Sequence, residues 1–568
     1  MPVKIEDLFG EIAKLAPAPQ QAIRIEYRPA PSADWDIKVI FGDPAQLQKL
    51  RNLLADRSVV KRLDVKGASA FIEFDDDYLA SEIDRRLAGE VDAFAAGRLY
   101  GQRMIVQFLD PNSTKAMHLG HLYEAILGNA LAALLTRLGA DVRRTCFVSD
   151  ISRSVCEAMA GFEMLGHQAT PAQTGEKPDH MVGRLYAQYA EHYYAQHPEE
   201  ADNDDPIRRE TGIVGDRADD FMRLYQTGEA ESRALWRKVR DWVVDGQLAT
   251  LTRLQVDFDT IQYGSDYDRL IEDFIARGLE RGVLEREPSG TIVYHSGKRE
   301  YQTVIVTRPD GFPTEHARQM AQMISVFADC ADLDRYYTFM GMEWKPAWII
   351  YEDILRGCFG ESPYHDIVEP VCHGMVMVEG SKMKSSNGAA LLADEFLDQI
   401  AGLREVHALA AQTGCRVSVA DVGDIVAKCF FLSRRMAKDL NFAWKHVTGP
   451  VDNPGWSIAA AWCAAHATPR TAASRADDLA RVRTLFLKSF DLVRALNFAA
   501  GQVDLAVAVK FLHRLSETVN DMLREPGSER LAALSRSILR DGLTSLGIGS
   551  NTAAALSAWS LPPRRGAR

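Results

Sequence analysis

Cysteine is thin in this chain, basic charge is not in excess, and no long apolar run interrupts it. The eight cysteines among 568 residues (Cys146, Cys156, Cys330, Cys358, Cys372, Cys415, Cys429 and Cys463) lie far apart, and none forms a Cys-x-x-Cys pair. That spacing offers neither the grouped thiolates of a structural zinc nor a disulfide framework. No zinc is expected, and a reducing, cytoplasmic setting is. No stretch of about 18 apolar residues is present to span a membrane. Met1–Gly10 mixes acidic and apolar residues where a secretory leader would place a basic lead before an apolar core, so no signal peptide is expected. With 66 Lys and Arg against 78 Asp and Glu, the formal charge is −12. This excludes a basic field over the whole molecule, and a nucleic-acid partner would have to be met by a local patch.

What is there divides into parts. Single cores rarely grow beyond about 250 residues, so a chain of 568 implies about three domains. Residues 1–100 read as a small α+β unit, helical over Ile5–Leu15 and Ala45–Leu54 and strand-like over Ile37–Phe41 and Ala70–Phe74. From 101 to 395, apolar runs such as Val142–Val148, Thr303–Thr307 and Trp348–Tyr351 alternate with helical patterns. That alternation predicts an α/β domain with a doubly wound, Rossmann-like parallel sheet. Between about 160 and 255 the text turns polar, with a Pro/Asp-rich piece at Glu199–Pro206. One long amphipathic helix then runs through Leu224, Leu235, Trp236, Val239, Trp242 and Val243. This segment reads as a helical insertion splitting the nucleotide fold. Residues 396–568 carry almost no strand signal and are expected to be all-helical; a dimerisation bundle is the plainer but less favoured reading of helices alone.

The chemistry concentrates in two segments. Asp110-Pro111-Asn112-Ser113-Thr114-Lys115-Ala116-Met117-His118-Leu119-Gly120-His121 joins the apolar run Met104–Leu109 to a helical pattern with Leu122, Ile126, Ala130, Leu134 and Leu138 on one face. A strand, a tight turn and a helix N-terminus suit a phosphate chain. The free N–H groups and positive dipole end attract an anion, Gly120 permits close approach, and imidazoles donate hydrogen bonds. Some 260 residues later, Ser381-Lys382-Met383-Lys384-Ser385-Ser386 lies on a Gly/Ser/Asn-rich loop. Lys382 there would clamp a triphosphate from the opposite side, where charge builds up as pyrophosphate departs.

The pair resembles the two signatures of class I aminoacyl-tRNA synthetases, usually written His-Ile-Gly-His and Lys-Met-Ser-Lys-Ser. Within that class it is similar to arginyl-tRNA synthetases, whose first signature sits in a Ser-Pro-Asn-x-x-Lys-x-x-His-x-Gly-His context followed here at Pro111, Asn112, Lys115, His118, Gly120 and His121. The resemblance implies ATP with Mg2+ as a substrate and an amino acid and tRNA as partners, with no protein-held metal. His118, His121, Lys115 and Lys382 would be catalytic, and Gly120, Met383, Ser385 and Ser386 would complete the ATP site. Ser385 stands where the family's second lysine is usual, a loss that Lys115 is expected to compensate. The resemblance also implies an N-terminal domain that touches the tRNA core and a C-terminal helical domain that meets the anticodon. Asn441-Phe442-Ala443-Trp444 and Asp452-Asn453-Pro454-Gly455-Trp456 echo later family motifs with several positions changed. A monomer is expected.

The amino-acid pocket departs from the relatives. Where the family holds a guanidinium with a glutamate, a tyrosine and an aspartate, this chain has Gln107, Glu315 and Gln319, and Trp344 replaces a glutamine. Asn112 and Asp150 persist and would hold the α-amino group. A guanidinium carries five donors and a fixed charge, which a buried pocket normally answers with paired carboxylates. Two amides in their place point to a neutral or differently polar side chain, such as a ureido amino acid. Three readings therefore stand: an aminoacyl-tRNA ligase of the arginyl type or a paralogue with a changed amino acid, a tRNA-independent ligase that passes the acyl group to a small amine, and a non-catalytic tRNA-binding paralogue.

Overall fold

The computed structural model describes residues 4–15, 23–54, 58–91, 99–197, 212–297, 303–329, 332–360, 364–382, 391–414, 416–467, 475–525 and 527–549. At the N-terminal end, β1 (Arg24–Tyr27), β2 (Ile37–Ile40), β3 (Val60–Lys66) and β4 (Ser69–Phe74) form an antiparallel sheet in the order β1-β2-β4-β3. Alternate residues of β4 are buried, as a one-sided sheet requires. Helix Ile5–Ala13 adds Ile5, Leu8, Phe9 and Ile12 to that core. The unit is tied to the C-terminal helices by charge: Arg483 Nε donates to the fully buried Asp36 at 2.6 Å and Nη2 to the Phe74 carbonyl at 2.7 Å.

The central sheet explains where a cleft can open. β5 (Arg103–Gln107), β6 (Asp141–Val148), β7 (Thr260–Tyr263), β11 (Arg335–Gly341) and β12 (Val368–His373) are all parallel, in the order β12-β11-β5-β6-β7. The chain builds outward from β5 in one direction and returns to its other side with β11, so the strand order reverses between β5 and β11. Ligand crevices form at such a switch, beyond the carboxyl ends of the strands. The run Thr303–Thr307, expected in the parallel sheet, is instead β10 of a small antiparallel sheet with β9 (Ile292–His295) and β8 (Glu285–Arg286), which lies between β7 and β11 in sequence.

Between β6 and β7 the chain makes helices Arg153–Leu165, Pro178–Gln196, Arg217–Thr227 and Ala230–Arg253, packed on their own core of Val155, Phe162, Met181, Leu185, Phe221 and Trp236. The single long helix expected through Leu224–Val243 is two helices, broken at Gly228, whose φ of +76° caps the first. The run Trp348–Tyr351, expected as a strand, lies inside helix Lys345–Phe359. Ala347, Trp348, Ile350, Tyr351, Ile354, Leu355 and Cys358 are its buried residues, and a four-residue apolar run cannot by itself separate the two states.

After position 392 the described elements are helical, with one exception. β15 (Leu440–Phe442) pairs in parallel with β13 (Val376–Val378), which also pairs with β14 (Ser381–Lys382). Among the described residues no helix is long and apolar enough to cross a membrane.

Candidate functional site

The site begins where β5 ends. Leu109, two residues past the strand, is buried with φ +71°, an uncommon backbone for a branched side chain. Its N–H donates to Glu124 Oε1 at 2.8 Å, and its carbonyl accepts from Phe147 N at 3.2 Å. The loop then crosses the sheet edge, with Ser113 N donating to the Ser149 carbonyl at 3.0 Å, and enters helix Leu119–Arg137. That helix lies close on the strand end because Gly128 has no side chain: an added Cβ would stand 2.1 Å from Phe108 Cγ.

His118 is the N-cap, and its Nδ1 accepts from Gly120 N at 3.1 Å while His121 Nδ1 accepts from His118 N at 3.3 Å. The rings stack with centroids 3.9 Å apart and planes 16° from parallel. Since each Nδ1 is spent as an acceptor, the proton of each neutral ring sits on Nε2. Neutrality is favoured. Burial, helped by the Lys115 charge, lowers His118 to about 4. Burial, followed by the charges of His118 and Lys115, puts His121 well below its ordinary value. Two uncharged donors thus stand at a helix N-terminus, where the dipole adds attraction for an anion. Lys115, six residues before His121, is pulled down to about 8 by burial, with Nζ 6.0 Å from the Tyr186 ring centre.

Beside this helix end lies a cavity of about 260 Å³, opening over the carboxyl ends of β5, β11 and β12. His118, Gly120 and His121 line it at the helix start. Asp110, Glu124 and Glu343 add acids, and His373 adds a third imidazole. Gln107, Gln319, Thr338, Trp344, Trp348 and Tyr351 make an amide and aromatic wall. Among the described residues the lining includes no Lys or Arg.

The acidic groups are crowded. Asp110 is open to the cleft, yet desolvation within it and the neighbouring Glu124 and Glu315 charges raise its pKa well above the carboxylate range. Burial would depress His373, but Glu124, whose Oε2 is 3.7 Å from His373 Nε2, outweighs it and raises the imidazole. Asp110 stood in the signature segment with no role assigned to it, and Glu124, Glu343 and His373 were not singled out from sequence. Glu124 left one signal, as the lone acid in helix Leu119–Arg137.

The residues expected to bind the amino acid divide. Gln107 and Gln319 line the cavity, as does Trp344, which is 39% exposed and packs against His316 with ring centres 5.7 Å apart. Gln107 Oε1 accepts from Gln322 Nε2 at 2.5 Å and from the Tyr336 hydroxyl, so its carbonyl is consumed inside the protein. Gln322 Nε2 also reaches Gln262 Oε1 at 3.0 Å, completing a buried amide cluster. Glu315 stands behind the lining, accepting from Ser149 Oγ at 2.7 Å and from Gln319 Nε2 at 3.1 Å. Asp150 is fully buried outside the lining; it accepts from Ser265 N at 2.8 Å and Ser265 Oγ at 2.7 Å, with Arg240 3.5 Å away. The Asn112 side chain is exposed, and its carbonyl accepts from Gln247 Nε2 at 3.0 Å.

Lys382 lies in β14 opposite Met377, while Met383, Ser385 and Ser386 fall outside the described residues. The chain downstream of that loop returns to the helix start: Leu119 N donates to the Leu391 carbonyl at 3.0 Å, His118 bridges Leu392, and Ala393 N donates to the Met117 carbonyl at 2.9 Å.

Comparison with known proteins gives three findings. Residues 89–437 match the family model described as tRNA synthetases class I (R), catalytic domain. The arginine–tRNA ligase of Flavobacterium psychrophilum is 25% identical over 366 residues, covering 63% of this chain and 60% of that protein. That of Treponema pallidum is 28% identical over 302 residues, 53% of this chain and 48% of that protein. The matched stretch therefore spans about half to three fifths of these curated relatives' length. In fold, the arginyl-tRNA synthetase of Thermus thermophilus superposes with a TM-score of 0.62 at 18% identity, covering 96% of this chain and 98% of that one.

Proposed function

Since the chain belongs to the class I (R) tRNA synthetase family, whose catalytic-domain model covers residues 89–437, we propose that it activates an amino acid as an aminoacyl-adenylate and transfers it to tRNA. The observation that carries this reading is the pair of neutral, stacked imidazoles at a helix start, both with Nε2–H free of the cap, beside a cavity large enough for an amino acid.

Adenylation asks little covalent help of a protein. The substrate carboxylate must lie in line with the α-phosphorus of ATP, and negative charge on the departing pyrophosphate must be met by fixed donors. Nε2–H of His118 and His121 and the helix dipole meet it from one side, and the charges of Lys115 and Lys382 add to them. Each well-aimed donor of this kind contributes about 10²–10³ in rate. ATP arrives as its Mg2+ complex, the ion belonging to the substrate. The ammonium of the amino acid is taken by Asp110 and Glu124, whose mutual repulsion a cation relieves, with Glu343 on the same lining.

The amide wall bears on the side chain. With its carbonyl spent on Gln322 and Tyr336, Gln107 turns N–H toward the cavity, a donor where a guanidinium needs an acceptor. A ureido or carboxamide group has a carbonyl to accept it and an NH2 to give to Gln319. The preferred amino acid in this reading carries such a neutral end. tRNA is the acceptor and the chain works in the cytoplasm. Charging of total tRNA with radiolabelled amino acids tests this: acid-precipitable aminoacyl ester supports tRNA as acceptor, and adenylate formation without it overturns that step.

A further inference from the structure

The insertion holds the helix start through one buried carboxylate. Asp394 follows the chain that straps Met117, His118 and Leu119, and its side chain turns into the insertion. Its Oδ2 receives Lys177 Nζ at 2.7 Å, Thr250 Oγ1 at 3.0 Å and His180 Nε2 at 3.1 Å, and its Oδ1 receives Arg253 Nη1 at 2.7 Å. Lys177 also reaches Asp179 Oδ2 at 3.0 Å. Asp179, His180 and Asp394 converge closely enough to hold a cation, and the Lys177 ammonium already bridges the two carboxylates. The cluster is thus a clamp of fixed charges between helices Pro178–Gln196, Ala230–Arg253 and Ala393–Gly402.

Two more contacts from the same insertion helices grip the other end of the signature loop. Gln247 Nε2 donates to the Asn112 carbonyl at 3.0 Å and the Lys115 carbonyl at 2.9 Å. Gly183 lies so near that an added Cβ would be 3.0 Å from Lys115 Cβ and 3.2 Å from its Cα. The insertion therefore touches residues 112–115 directly and residues 117–119 through Asp394.

We infer that Asp394, clamped by Lys177, His180, Thr250 and Arg253, is a positioning residue that fixes the His118–His121 turn for the ATP phosphates. This rests on the amino-acid-activating reading above. Removing its charge leaves Lys177 and Arg253 facing an uncharged amide, and the strap at Leu391–Ala393 loses its anchor while every group that touches phosphate remains. A misplacement of about 1 Å at such a site costs about a hundredfold in rate.

The test compares Asp394→Asn and Gly183→Ala with wild type in amino-acid-dependent ATP–pyrophosphate exchange, with ATP affinity measured separately by equilibrium dialysis and folding by thermal melting. The expected result is a kcat/KM for ATP lowered about a hundredfold in Asp394→Asn with Kd for ATP raised, Gly183→Ala moving the same constants in the same direction by less, and KM for the amino acid within about twofold of wild type. Unchanged ATP constants in both variants, with a lowered melting temperature in Asp394→Asn alone, would show a purely structural clamp and overturn the inference. A wild-type protein that binds ATP but exchanges no pyrophosphate overturns the activating reading instead, and the dialysis comparison then still decides the role of Asp394.

Discussion

Replacing His118 by asparagine separates the two tasks its ring combines. One task is local: Nδ1 accepts the Gly120 N–H at 3.1 Å and caps helix Leu119–Arg137. Asparagine presents an oxygen at nearly the same place and ranks among the best N-caps, so stability should change by less than about 0.5 kcal/mol. Alanine offers no acceptor and should cost about 1 kcal/mol. The other task is the Nε2–H aimed outward, which both variants delete. One fixed donor facing developing negative charge is worth about 2.7–4 kcal/mol, or about 10²–10³ in kcat. His118→Asn should therefore melt like wild type while its exchange kcat falls by that factor, and His118→Ala should lose both. Asparagine retaining kcat within about threefold of wild type would refute the assignment of the ring to phosphate. Asparagine melting as early as alanine would refute the cap.

Three further outcomes follow from the same geometry. Lys115 is depressed by burial to about 8 in the free protein, so its charge is lost as pH rises through that value; ATP affinity should decline above about pH 8, and Lys115→Arg should flatten the profile by isothermal titration. Gln107→Glu should favour arginine over citrulline by about 1.5–3 kcal/mol in kcat/KM for exchange, the worth of a hydrogen bond to a charged group, and an unchanged ratio would remove Gln107 from specificity. His180 is raised above its ordinary 6.5, first by its hydrogen bond to Asp394 and then, against burial, by the Asp179 and Asp394 charges, with Lys177 opposing. A raised folded value means its contribution is full below 6.5 and lost as pH climbs through the higher value, so the melting temperatures of wild type and His180→Gln should converge as pH rises past it.

Local chemistry was legible in the sequence and long-range company was not. The alternation of apolar runs and helical faces led to the doubly wound sheet, and the His-x-Gly-His spacing led to the helix start, because both are written within a few residues. The helix at Trp348–Tyr351 escaped, since four apolar residues carry no period. Asp110, Glu124 and His373 meet only when the ends of β5 and β12 are brought beside one helix, and no pattern along the chain announces that. Asp150 illustrates the reverse: an acid near the signature whose oxygens are spent on Ser265, 115 residues away. Gln107 was visible as an amide, while the direction of its donor depended on Gln322 and Tyr336, more than 200 residues downstream.

The most direct measurement is amino-acid-dependent exchange of labelled pyrophosphate into ATP, run across the common amino acids plus citrulline, with and without tRNA. The account predicts exchange, strongest with an amino acid whose side chain ends in a neutral ureido or carboxamide group and abolished in the His118→Asn, His121→Asn double variant. Exchange that survives in that variant, or none with any amino acid, would contradict the claim that this cleft forms an aminoacyl-adenylate.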